Sequence, residues 1–201
     1  DVFSVLGLPW AEDDCLIYVG GSDSSHSRSA RLVSAVEDGY QVQDEIVIGG
    51  LVDDYEAVIS GNVSINQPAL FLEGRKDGNL CTQIVTVQGE KLVNLTGGGV
   101  SNLASRSLRE QQVFCTDIDG DGVTEVPSPV LMNGYPQGSN SEFYYIEWLA
   151  YSDQGFLVKE ITYINSSDGY QLRVPSEWKD MVFVKTTSDQ DEVQFLCRNA
   201  D

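Results

Sequence analysis

The chain is poor in bases and in the residues that usually run catalysis. It holds 12 lysines and arginines against 31 acids in 201 residues, a formal net charge of −19, with a single histidine and two methionines. Such a surface repels phosphate backbones and anionic lipid headgroups, so neither nucleic acid nor a membrane surface is an expected partner. No run approaches the roughly 18 consecutive apolar residues that a membrane helix needs, so insertion by this segment is not expected. The four cysteines, Cys15, Cys81, Cys115 and Cys197, form no CxxC pair, which disfavours a zinc or thiol-redox motif. Each sits in or beside an apolar run and reads as a small core residue, with one or two disulfides as the alternative. The lone His26 lies in Gly20-Gly21-Ser22-Asp23-Ser24-Ser25-His26-Ser27. That segment reads as a polar hairpin loop, and no Gly-x-Ser-x-Gly elbow exists to make a nucleophile for the histidine to serve. Gly97-Gly98-Gly99 is followed by no Walker-type lysine, so it reads as a linker.

What is present is the grammar of strands and turns. Hydrophobic residues make up 41% of the chain and charged residues 21%, ordinary values for a protein with a core. Val, Ile, Thr, Tyr and Phe recur in short runs interrupted by Gly, Asn, Asp and Ser, with little helical periodicity. One unit recurs: an apolar strand, a Gly-led turn and a second apolar strand. It appears as Leu32–Val36 with Asp38-Gly39-Tyr40-Gln41-Val42, as Ile84–Val87 with Gln88-Gly89-Glu90-Lys91-Leu92, and as Trp148–Tyr151 with Gln154-Gly155-Phe156-Leu157-Val158. Landmarks precede each copy at Leu16–Gly21, Ala69–Gly74 and Thr124–Pro127. The middle copy resolves into four strands, near 55–63, 68–74, 81–88 and 91–96, the size of a propeller blade. The expected fold is therefore all-β, a propeller-like array of about three to four antiparallel four-stranded blades, with a β-sandwich as the alternative.

Two stretches depart from the repeat. Asn102–Arg109 suggests one or two helical turns, and the tail from Tyr170 suggests three short strands, near 170–174, 181–187 and 192–198. Between the first two, Pro175-Ser176-Glu177-Trp178 reads as a turn with a buried indole. The organisation expected is a repeat region over residues 1–169 and a C-terminal β cap or last partial blade over 170–201. In the aromatic run Phe143–Tyr151, alternation implies one core face and one partly exposed face.

The segment with the most chemical content is Asp117-Ile118-Asp119-Gly120-Asp121-Gly122-Val123-Thr124-Glu125. Calcium takes six to eight oxygen ligands on a chain able to curl round it. Carboxylates at 117, 119 and 121 converge when the chain turns tightly, Gly120 and Gly122 allow that turn, and the Val123 carbonyl with the Glu125 carboxylate closes the cage. An EF-hand fits poorly, because its twelfth position is Ser128 and the flanks are not helical in pattern. The competing interpretation is an Asp/Gly hairpin that holds no metal.

Val113–Val126 resembles the metal loop of FG-GAP and VCBS-type repeats. The resemblance implies a blade-edge calcium held by Asp117, Asp119, Asp121, the Val123 carbonyl and Glu125, although Glu stands where Asp is usual and the other two copies lack the acids. The Asp-Gly loop, the Tyr144-Tyr145-Ile146-Glu147-Trp148 strand and the Val174-Pro175-Ser176-Glu177-Trp178 tail are together similar to Clostridia-type cell-surface lipoproteins. That likeness implies an extracellular or cell-surface protein, lipid-anchored through a removed N-terminal segment, in keeping with Asp1 at the first position. The function expected is a non-enzymatic binding module for a surface protein or glycan, with a calcium-stabilised loop. The alternatives are a glycan-acting hydrolase using paired carboxylates and a structural spacer domain.

Overall fold

The computed structural model describes residues 2–7, 16–20, 28–48, 52, 54–96, 103–132, 143–186 and 192–197, with only the backbone described for 2–7, 16–20, 54 and 186. His26, Cys15 and Gly97–Gly99 lie outside the described residues. The protein is all-β. Three antiparallel four-stranded sheets and one two-stranded hairpin account for the strands among the described residues, and each four-stranded sheet is an open meander with neighbours in chain order. No described helix is long and apolar enough to cross a membrane.

The chain divides into two compact units, residues 1–126 with 150–157, and residues 127–149 with 158–201. The first unit holds two sheets. One comprises β1 (Val2–Gly7), β2 (Leu16–Gly20), β3 (Ser29–Val36) and β4 (Gly39–Val47); the other comprises β5 (Asp54–Ser64), β6 (Gln67–Lys76), β7 (Asn79–Gln88) and β8 (Lys91–Asn94). β6 and β7 are buried on both faces, from Pro68 to Gly74 and from Leu80 to Val87, which is why their sequences lack clean alternation; Glu73, Thr82, Gln83 and Thr86 are buried polar residues within them. Ala30, Leu32, Leu70, Leu72, Val85 and Leu92 anchor a core shared by the two sheets. The Tyr55 hydroxyl bridges the Ile48 carbonyl at 2.8 Å and the Gln83 side-chain amide at 2.7 Å, so the phenol is satisfied within that core; burial pushes its pKa up to about 12. A single helical turn, α1 (Leu103–Arg106), follows β8.

The second unit holds most of a third sheet, formed by β9 (Val126–Leu131), β10 (Tyr144–Ser152), β11 (Gly155–Asn165) and β12 (Tyr170–Arg173) in the order β12-β11-β10-β9, together with the hairpin of β13 (Val182–Thr186) and β14 (Val193–Cys197). Pro127 and Pro129 fall in β9, at the edge of its sheet, where a missing N–H costs no ladder bond. A separate core forms round Met132, Tyr145, Ile161, Tyr163, Val174 and Val184, with the Tyr163 ring edge-on to Phe195 at 5.2 Å.

The four strands expected in the middle copy are β5 to β8, each within a few residues of its expected limits. Several expectations are corrected. The Gly39 and Gly89 turns join third and fourth strands, whereas Gly155 joins the second and third strands of its sheet; its structural equivalent is the turn at Gly78, so the third sequence copy is out of register with the first two. The aromatic run is buried on both faces: Tyr145, Ile146, Glu147, Trp148 and Leu149 are all buried. Trp178, in the 3-10 turn Ser176–Trp178, is 50% exposed. In a 3-10 turn residues i and i+3 share a face, so Ser176 and Lys179 point together while the indole projects elsewhere. Cys81 and Cys115 are buried as expected, whereas Cys197 on β14 is exposed.

Candidate metal site

The acidic loop starts from a segment that carries no regular strand. Residues 110–115 run without ladder pairing until Thr116, which forms an isolated antiparallel bridge with Glu125. Two backbone bonds close that bridge, Thr116 N–H to Glu125 O at 3.2 Å and Glu125 N–H to Thr116 O at 2.9 Å. The loop is thus a closed turn with a fixed base. Gly120 and Gly122 have φ of +80° and +84°, the left-handed region where an L side chain is strained.

Inside the turn, Asp117 organises the backbone. Its Oδ1 accepts from Gly120 N–H at 2.7 Å and from Asp121 N–H at 3.1 Å, and its Oδ2 accepts from Gly122 N–H at 2.8 Å. Asp119 Oδ1 takes a second bond from Asp121 N–H at 3.2 Å, and Asp121 Oδ1 accepts from Val123 N–H at 2.9 Å. Glu125 is fully buried, and its Oε2 accepts from Ile118 N–H at 3.1 Å. One carboxylate oxygen from each of Asp117, Asp119 and Glu125 lies within 4.8 Å of the other two. Of the residues expected from sequence, these three carboxylates are brought together. Asp121 lies outside that group; its carboxylate oxygen instead turns to the loop's own backbone at Val123. At separations of 4.8 Å or less and an effective dielectric between 20 and 80, each pair of charges repels by at least roughly 1–3 kcal/mol. A cation among them would turn that repulsion into attraction. The donors are all oxygen, the ligand type of hard divalent cations.

Both roots of the loop are pinned to the β5–β8 sheet. On the exit side, Thr124 N–H donates to Asn62 O at 2.8 Å and Asn62 Nδ2 donates to Gly122 O at 3.1 Å. The approach is close enough that a Cβ at Gly61 would lie 2.2 Å from Thr124 Oγ1. On the entry side a fully buried ion pair does the work. Arg109 Nη2 meets Glu73 Oε2 at 2.8 Å with both side chains at 0% exposure. Glu73 Oε1 accepts from Cys115 N–H at 2.9 Å, and its Oε2 also accepts from Thr82 Oγ1 at 2.9 Å. Arg109 donates onward to Val113 O at 2.6 Å, Ser107 O at 2.7 Å and Thr82 Oγ1 at 3.2 Å. The Cys115 thiol beside this pair is held well above the usual thiol range, first by burial and then by the Glu73 charge, so it is inert as a nucleophile.

The sequence reading missed Asn62, Glu73 and Arg109. Their signal was an acid inside an otherwise apolar run, Leu70-Phe71-Leu72-Glu73, since a charge is rarely buried unless paired. No protein-family model, curated protein or solved structure matches the chain.

Proposed function

We propose that the chain is a non-enzymatic binding module of the cell surface or extracellular space, in which calcium at Asp117, Asp119 and Glu125 stiffens the turn 117–125. The observation that carries this reading is the convergence of three carboxylate oxygens within 4.8 Å on a closed turn, its backbone already ordered by Asp117. Asp121 and the Val123 carbonyl would join the set only if the Asp121 carboxylate gave up its bond from Val123 N–H. The three four-stranded meanders favour a propeller-like array over a sandwich. The net charge of −19 suits a protein that meets millimolar divalent cations outside a cell, and surface proteins or glycans are the partners this reading expects. The ion is a clamp between two backbone segments, and no step of chemistry is assigned to it.

Thermal unfolding in calcium and in excess chelator tests the clamp. A ligand at 100 times its dissociation constant stabilises the native state by about 2.7 kcal/mol, which for a chain of this size raises the midpoint by roughly 5–10 °C. An unchanged midpoint removes the metal from the account.

A further inference from the structure

A cleft of about 660 Å³ opens in the second unit, lined by β10, β11, β12 and the segment that follows. Its size falls in the roughly 300–1,000 Å³ range of small-molecule sites. Its charge runs against that of the chain. Lys159, Arg173 and Lys179 line it with Glu147 and Glu160, a local balance of +1 in a protein whose net charge is −19 with only 12 bases.

The depth of these groups gives the balance a direction. The side chains of Glu160 and Glu147 are 11% and 9% exposed, whereas their partners Arg173 and Lys179 are 68% and 33% exposed. Acids form the inner layer and cations the rim, so a ligand entering from solvent meets positive charge first. Arg173 is gripped by both oxygens of Glu160, from Nε at 2.8 Å and from Nη2 at 2.7 Å, and Lys179 bonds Glu147 Oε1. These pairs hold two long side chains in place before any ligand arrives, which lowers the ordering cost of binding. The guanidinium has five N–H donors and the ammonium three, so the bonds to Glu160 and Glu147 do not exhaust either cation. The apolar part of the lining is Val158, Ile161, Val174 and Pro175. Ile161 and Val174 are buried in the core below, while Val158 is 43% exposed.

Cations at the rim beside the accessible apolar surface of Val158 and Pro175 suit a small body with one apolar face and one negative charge. A polyanion is disfavoured, because each further charge is repelled by the acidic surface, whereas a single charge feels mainly groups within the screening length of about 8 Å. We propose that this cleft binds a small monocarboxylate, its carboxylate held by Arg173 and Lys179 and its body laid on Val158 and Pro175. The proposal rests on the binding-module reading and is independent of the metal. A uronic acid and an N-acylated amino acid share this chemistry.

Titrations of the full chain followed by NMR test it, using D-galacturonate, N-acetyl-L-alanine and neutral methyl galactoside, each in calcium and in chelator. At least one carboxylate should saturate with a dissociation constant on the order of 1 mM while the neutral sugar does not, and whichever carboxylate binds tighter identifies the source. Arg173→Gln and Lys179→Gln should each weaken binding about tenfold, as expected for loss of a charge-assisted hydrogen bond. Arg173→Lys should recover part of the loss. Lys91→Gln, which removes an exposed ion pair with Asp44 on the first unit, should change nothing. The proposal is overturned if neither carboxylate saturates by roughly 50 mM, if methyl galactoside binds as tightly, or if Arg173→Gln leaves the affinity intact. Failure of the metal reading would show instead as an absent calcium effect on the melt, with the carboxylate titration unchanged.

Discussion

Replacing Glu73 by alanine perturbs the first unit at its most demanding point. Arg109 would keep its bonds to Val113 O, Ser107 O and Thr82 Oγ1 but lose the Glu73 counter-charge it meets at 0% exposure. Leaving a buried charge uncompensated costs about 3–5 kcal/mol. The Cys115 N–H would lose its acceptor as well, and an orphaned buried donor costs about 1–3 kcal/mol. The two effects overlap, because both are relieved by the same local opening, so the expected loss is about 4–6 kcal/mol. That is a large share of the 5–15 kcal/mol available to an ordinary domain. Glu73→Leu combined with Arg109→Met removes the charge problem but leaves the Val113 and Ser107 carbonyls and the Cys115 N–H without side-chain partners. The double variant should therefore be less stable than the wild type, yet lose less than the sum of its singles by on the order of 3 kcal/mol. Urea unfolding followed by circular dichroism measures each loss, and hydrogen exchange at the Thr82 and Cys115 amides localises it. A loss below about 1 kcal/mol for Glu73→Ala, or strict additivity in the cycle, would show that the pair is not the anchor described here.

Three further outcomes are expected. Gly61→Ala forces a Cβ to within 2.2 Å of Thr124 Oγ1 and 3.1 Å of its Cβ; overpacking of this kind costs about 1–3 kcal/mol, and Thr124→Ser in the same chain, which removes the methyl and frees the hydroxyl to rotate, should return part of it in the same urea assay. Alkylation of the native protein by iodoacetamide, mapped by mass spectrometry, should label the exposed Cys197 and leave Cys81 and Cys115 unlabelled until denaturant is added, because burial shields both thiols and raises their pKa values; native labelling of Cys115 would contradict its placement. Asp44 is held below its ordinary pKa by the Leu92 N–H and then by Lys91, so its contribution is fully present above the unfolded value of about 4 and is lost as pH falls through the lowered folded value. Asp44→Asn should flatten the acid limb of the stability–pH curve, and an unchanged limb would refute the assignment.

The architecture was readable where one physical signal dominated. Gly-led turns between apolar runs located β3–β4 and β5–β8, because a hairpin declares itself locally through turn chemistry and side-chain alternation. The register of the third copy was not readable. Gly78, Gly89 and Gly155 all follow apolar strands, and only pairing over long sequence separations decides which hairpin each one closes. Burial on both faces of Tyr145–Leu149 was hidden for the same reason, since alternation along a strand says nothing of what covers each face. Within the site, the Asp-Gly spacing correctly marked a turn and brought Asp117, Asp119 and Glu125 together. It did not foresee that Asp121 would bond Val123 N–H, because side chain and backbone compete for the same short-range partners. Glu73 and Arg109 are 36 residues apart, and no local pattern links them.

The central claim is that Asp117, Asp119 and Glu125 form a calcium clamp. Isothermal titration of calcium into the metal-stripped chain, in parallel with Asp117→Asn, tests it most directly. Asp117 anchors three loop amides through its two oxygens as well as contributing to the carboxylate group. One calcium should bind per wild-type chain, at a dissociation constant in the roughly 10⁻⁴–10⁻³ M range of extracellular modules, with binding weakened at least about tenfold in the variant. Saturable binding of the same strength in Asp117→Asn, or no saturable binding in the wild type, would contradict it.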